Sequence, residues 1–134
     1  MVRVADLMQR DVRTIGDNAT MTDAIVMLTG SHISALPVLN EHQELVGVVS
    51  TTDILAAEAE SGDGSGISRV VTHIRIGDIM SRTPKTIAPD AEVKLAAQEM
   101  LYLDTHRLLV VEDGVLVGII SQSDIVRAVA NGLI

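Results

Sequence analysis

One short phrase occurs twice in this chain and constrains the fold more than any other feature. Leu45-Val-Gly-Val-Val-Ser-Thr-Thr-Asp-Ile-Leu55 and Val115-Leu-Val-Gly-Ile-Ile-Ser-Gln-Ser-Asp-Ile-Val126 both read as a strand that ends in a hydroxyl side chain and enters a helix with Asp in its first turn. The repetition extends upstream of the phrase. Val4-Ala-Asp-Leu-Met8 is echoed by Ile76-Gly-Asp-Ile-Met80, Thr14-Ile15 by Thr86-Ile87, Ala19 by Ala91, Ala24 by Ala96, and Leu36 and Val38 by Leu108 and Val110. After a slip of one residue in a turn, Gly47, Ser50, Asp53 and Ile54 match Gly118, Ser121, Asp124 and Ile125. Such agreement within one sequence marks two copies of one supersecondary unit, neither of which buries its apolar faces alone.

Each copy predicts strand, helix, strand, strand, helix. A short extended piece, Val12 to Ile15 or Lys85 to Ile87, comes first. In the first copy, Thr20 and Asp23 have capping-box spacing, and Met21, Ala24, Ile25 and Leu28 share one helical face that ends near Gly30. The twin helix presents Val93, Ala96, Ala97, Met100 and Leu101, with Asp90 as its expected cap. Two strands follow, Ala35 to Leu39 with Leu45 to Val49, and Leu108 to Val111 with Val115 to Ile120; the second pair turns at Asp113-Gly114, a hairpin signal. Helices over Thr52 to Glu60 and Ser123 to Ala130 close the copies, the last stopping near Gly132. Residues 1–60 form the first repeat and 71–134 the second. Between them, Ser61-Gly-Asp-Gly-Ser-Gly66 reads as a flexible linker over 61–70, and Val70, Val71 and Ile74 fit either a short strand or a helical turn.

Composition narrows the function. The chain has 134 residues and is 47 % hydrophobic, enough for a sizeable core. Tyr102 is its one aromatic residue among Phe, Trp and Tyr, so the core is aliphatic, as in strands covered by helices. This also argues against aromatic stacking platforms for single-stranded nucleic acid. A net charge of −8 without a cluster of basic residues argues against a phosphate-backbone surface. The absence of Cys removes disulfides, zinc thiolates and a cysteine nucleophile. No apolar stretch reaches the length of a membrane span, and Met1-Val-Arg-Val-Ala-Asp6 is not a signal segment, so the cytoplasm is the expected location. His32, His42, His73 and His106 lack metal-ligand spacing, and Gly62-Asp-Gly-Ser-Gly66 lacks the lysine of a phosphate-binding loop, so neither a resident metal nor catalysis is expected.

Two features carry binding chemistry, and each also has a plain structural reading. In Ser50-Thr-Thr-Asp53 and Ser121-Gln-Ser-Asp124, hydroxyl and carboxylate suit the free amides at a helix start, which capping alone explains. The same junction can meet a phosphate with its amides and hydroxyl, while the carboxylate accepts from vicinal ribose hydroxyls. In Thr105-His-Arg-Leu-Leu-Val-Val111, His106 and Arg107 stand at a strand entrance near Ser121. They are either solvated loop residues or a phosphate grip, the arginine through its planar fork. The first copy has Ser34 and Ala35 at the matching positions, so the two sites are chemically unequal and the second is the better anion site.

Gly47-Val-Val-Ser-Thr-Thr-Asp-Ile54 and Gly118-Ile-Ile-Ser-Gln-Ser-Asp-Ile125, with the two lead-ins ending at Met8 and Met80, resemble the cystathionine-beta-synthase-type (CBS) domain. The likeness covers both copies, in the arrangement called a CBS pair or Bateman module. It implies an α/β (α+β) fold: two β-α-β-β-α repeats packed sheet to sheet with pseudo-two-fold symmetry and two clefts. It further implies a non-catalytic regulatory module that binds an adenosine-containing ligand, AMP, ADP or ATP ahead of S-adenosylmethionine or NAD, with no cofactor required. Carried over by position, Thr14, Ala19, His106, Arg107, Ser121 and Asp124 form one ligand site, with Asp124 on ribose and Ser121, His106 and Arg107 on phosphate. Ser50, Asp53, Thr86 and Ala91 form a second, weaker one. Partners implied are the small molecule, a second copy in a homodimer, and a separate effector protein. The alternative is a structural or protein-interaction module with no bound nucleotide.

Overall fold

The computed structural model describes residues 1–61 and 74–134. The expected linker and the stretch through Val70 and Val71 lie outside the described residues, apart from Ser61. The chain forms two compact units, one made of Arg13–Pro84 and the other of Met1–Val12 with Lys85–Ile134. The units therefore differ from the sequence repeats. Each contains the body of one repeat and the lead-in that stands before the other.

In the unit Arg13–Pro84, β1 (Ile15–Gly16) lies parallel to β2 (Ala35–Leu39), which pairs antiparallel with β3 (Leu45–Ser50). Helices α2 (Met21–Ser31) and α3 (Thr51–Ser61) follow β1 and β3, and the short α4 (Ile76–Ile79) carries the lead-in. Leu36, Val38 and Val49 from the sheet are buried with Met21, Ala24 and Leu28 of α2, Ile54 and Ala57 of α3, and Ile76 and Met80. The α2 stripe is thus the one its spacing predicts. Its capping box also forms: Asp23 N–H donates to Thr20 Oγ1 at 3.3 Å, and Thr20 N–H donates to Asp23 Oδ2 at 3.0 Å. The helix ends near Gly30, as its spacing predicts, although His32 and not the glycine is the residue that closes it. It continues to Ser31, and His32 takes the left-handed conformation (φ 54°), which lets Ile33 N–H reach Leu28 O at 3.2 Å.

The second unit repeats the plan with the short α1 (Val4–Leu7), β4 (Thr86–Ile87), α5 (Val93–Tyr102), β5 (Arg107–Glu112), β6 (Val115–Ser121) and α6 (Gln122–Ala130). Val4, Met8, Ile87, Ala96, Met100, Leu108, Val110 and Ile120 form its core. Two expectations for α5 need correction. Asp90 is not the cap: Glu92 holds that position without a side-chain cap bond, and Asp90 O instead accepts from Arg3 Nη1 at 2.9 Å. Leu101 does not join the buried stripe, which ends at Met100; it is 79 % exposed. Gly132 does stop α6. At φ 73° it donates to Val129 O at 3.1 Å while Leu133 N–H reaches Ala128 O at 2.9 Å. The β5–β6 turn places Asp113 and Gly114 at φ 52° and 81°, as a two-residue hairpin requires. Both hairpins shift register at equivalent points, Val38/Leu39 and Val110/Val111, so the one-residue slip between the copies lies in the turn.

The lead-ins explain why the repeated phrase contains glycine. In one unit, Ser81 pairs with Val48 through two backbone bonds of 2.8 and 2.9 Å; in the other, Gln9 pairs with Ile119 through bonds of 2.8 and 2.9 Å. Met80 and Met8 then lie against Gly47 and Gly118. A Cβ on Gly118 would sit 2.7 Å from Met8 Sδ and 2.8 Å from Gln9 O, and one on Gly47 would collide with Ser81 O and Met80 Sδ. Each phrase and the lead-in it meets are therefore two halves of one packing motif.

Candidate functional site

Each unit has one strand-to-helix junction built from the repeated phrase. In Arg13–Pro84, Ser50 ends β3 and Asp53 lies in the first turn of α3. Ser50 N–H and Oγ–H donate to Asp53 Oδ2 at 2.8 and 3.0 Å, and Asp53 N–H donates to Ser50 Oγ at 3.2 Å. Ala35 stands opposite Ser50, and Thr51 N–H donates to Ser34 O at 2.9 Å. The carboxylate is half-buried, and no cationic side chain stands on this hairpin beside it.

The junction of the other unit has the same frame and different surroundings. Ser121 N–H donates to Asp124 Oδ2 at 2.8 Å, and Asp124 N–H donates to Ser121 Oγ at 3.2 Å, completing the capping box. Arg107 is the residue directly opposite Ser121, which puts both side chains on one face of the hairpin. His106, exposed, sits one residue earlier, where its carbonyl accepts from Gln122 N–H at 2.9 Å. Cation, hydroxyl and carboxylate thus gather at the positive end of α6. Asp124 is only 7 % exposed and is the buried charged residue among those described. Its Oδ1 accepts from Gln9 Nε2 at 3.1 Å and from Arg127 Nη1 at 3.3 Å.

The remaining predicted residues divide by unit. Thr14, half-buried just before β1, and Ala19, whose carbonyl accepts from Ile76 N–H at 2.8 Å, belong with Ser50 and Asp53. Thr86, opposite Leu109, and Ala91, whose carbonyl accepts from Val4 N–H at 2.8 Å, belong with His106, Arg107, Ser121 and Asp124. Sequence reasoning missed Gln9 and Arg127 as partners of Asp124. Arg127 has a signal, since it lies three residues along the same helix. Gln9 has none, because 115 residues separate it from Asp124. Among the described residues, no group of three or more His, Cys, Asp or Glu is placed to hold a metal, and no helix is long and apolar enough to cross a membrane.

A family model described as CBS domain matches residues 4–60 and again residues 76–131. The chloroplastic CBS domain-containing protein CBSX1 of Arabidopsis thaliana is 28 % identical over 141 aligned positions, which take in 90 % of this chain and 60 % of CBSX1. The chain thus spans less than two thirds of that relative. Among solved structures, CBSX2 in complex with AMP superposes with a TM-score of 0.83 at 27 % identity, covering 100 % of both chains. The CBS domain pair of protein MJ0100, in complex with 5′-methylthioadenosine and S-adenosyl-L-methionine, gives 0.79 at 27 % identity, covering 98 % of each.

Proposed function

This chain belongs to the CBS-domain family as a tandem pair, and from that premise we propose that it is a non-catalytic regulatory module for an adenosine-containing ligand, with AMP, ADP or ATP as the first candidates. The observation that carries the reading is the pairing of Arg107 with Ser121 at the α6 start, one turn from Asp124. Phosphate would meet the Arg107 fork, His106, the Ser121 hydroxyl and the helix-start amides; ribose hydroxyls would donate to Asp124. The AMP held by CBSX2 and the adenosyl ligands held by the MJ0100 pair support the ligand class. Ser50 and Asp53 offer a second, weaker site, because Ser34 and Ala35 bring no cation. Ligand binding favours whichever conformation it contacts better, and the output passes to an effector protein or to a homodimer.

A thermal-shift series with AMP, ADP, ATP, NAD and S-adenosylmethionine tests this. Stabilisation by an adenosine nucleotide that disappears in Asp124→Ala and weakens in Arg107→Ala is the expected result. The other reading, an interaction module without nucleotide, is favoured by the internal partners of both Asp124 oxygens. It predicts that Asp124→Ala costs only the stability of a cap, about 0.5–2 kcal/mol, and that no nucleotide shifts the melting point.

A further inference from the structure

The two copies of the repeated phrase share out their carboxylate oxygens differently. An ionised carboxylate offers about four acceptor sites, two on each oxygen. On Asp124, Oδ1 takes Gln9 Nε2 at 3.1 Å and Arg127 Nη1 at 3.3 Å, and is full; Oδ2 takes Ser121 N–H at 2.8 Å and keeps one site open. On Asp53 the Ser50 amide and hydroxyl both fall on Oδ2, at 2.8 and 3.0 Å, and Oδ1 has no hydrogen-bond partner among the described residues. The difference traces to two positions. Where Gln9 pairs with Ile119, the other unit has Ser81 paired with Val48, and where Arg127 follows Asp124, Ala56 follows Asp53. Serine is too short to copy the reach of glutamine, and alanine has no donor.

We propose that Gln9 is a gate on Asp124: its side-chain amide holds the oxygen that two vicinal hydroxyls of a nucleoside ligand need, so such a ligand engages Asp124 fully only when Gln9 swings out. This rests on the reading of Asp124 as a ribose acceptor. Only the side chain has to move, because both backbone bonds between Gln9 and Ile119, at 2.8 and 2.9 Å, hold the main chain in place. Gln9 is an exposed residue, so its released amide is taken up by water, and the ligand has to replace one charge-assisted hydrogen bond. Arg127 is the softer obstacle, with a 63 % exposed side chain and the longer contact. A ligand with a single ribose hydroxyl fits the open site on Oδ2 with Gln9 seated. The gate therefore suppresses discrimination between ribose and deoxyribose at this junction.

Gln9→Met keeps the length of the side chain and removes the donor. Calorimetric titration with AMP and with 2′-deoxy-AMP compares glutamine with methionine at position 9, both in an Asp53→Asn background that leaves Asp124 as the one intact carboxylate of the pair. The expected result is AMP binding about tenfold tighter with methionine, the worth of one hydrogen bond no longer displaced, and 2′-deoxy-AMP changed by less than about twofold. AMP affinity that is unchanged or weaker overturns the gate, and so does an equal gain for both nucleotides, which would mark a general structural effect. If neither protein binds AMP, the reading of Asp124 as a ribose acceptor falls with it.

Discussion

Gly118 shows how much one hydrogen atom decides. A methyl group there would press on Gln9 O at 2.8 Å, a backbone atom that cannot turn aside, as well as on the flexible end of Met8. Gly118→Ala is therefore expected to destabilise the protein by about 1–3 kcal/mol, the usual cost of overpacking, read as a fall in melting temperature. Gly30 is the contrast. It lies inside α2 with nothing within 4 Å of its virtual Cβ, so Gly30→Ala is expected to raise stability by about 0.4–1 kcal/mol, measured by denaturant unfolding. The difference in cost is set by what the chain brings against each glycine. Ser121, Asp124 and Arg107 are better placed for sequence reasoning. Capping partners stand three residues apart, and the match of Arg107 to Ala35 follows from the repeat, as the shared strand register bears out. The contact of Gln9 with Asp124 has no local pattern behind it, since it joins the two ends of the chain.

Among the elements, the two lead-in helices depend most on their surroundings. Four residues are too few for a stable helix in water, so α1 and α4 exist because Val4 and Ile76 are buried completely and the following Met8 and Met80 are covered. Met80→Ala leaves a cavity over Gly47 and is expected to cost about 2–5 kcal/mol by chemical denaturation. By comparison, Thr20→Ala removes one cap acceptor from α2 and should cost about 0.5–2 kcal/mol. The long helices are legible from their apolar spacing. Their ends are less so: His32 and Asp104, at φ 54° and 51°, close α2 and α5 in a conformation usually left to glycine. His and Asp enter this region more readily than most non-glycine residues, but sequence alone does not choose them over Gly30, which sits in the last turn of α2. Asp90 fails as a cap for a related reason, since α5 begins two residues later than its cap role requires.

At the scale of the whole molecule, the sequence repeat and the compact unit are different objects. The repeats are visible in the letters; the exchange of lead-ins is not, because Val4 to Met8 and Ile76 to Met80 resemble each other too closely to reveal which body each one joins. The distinction is testable by where the chain is cut. A fragment of residues 13–84 holds one body with the lead-in that packs on it, and is expected to melt cooperatively by circular dichroism. A fragment of residues 1–60 holds a body and the other unit's lead-in, and is expected to lack that transition or to self-associate, with α1 of one copy replacing the missing α4 of another. Equal cooperativity of the two as monomers would contradict the crosswise assembly.

That exchange also imposes a timetable on a chain made from its N-terminus onward. Residues 13–84 are contiguous, so this half can close while the rest is still being synthesised. Val4 and Met8, fully or nearly buried in the finished protein, have no permanent seat until Gly118 and Ile119 have emerged, because they belong to the unit completed last. Val4 and Met8 thus precede residues 13–84 in the chain and are placed after them, so this apolar stretch stays uncovered until residues 118–119 are available.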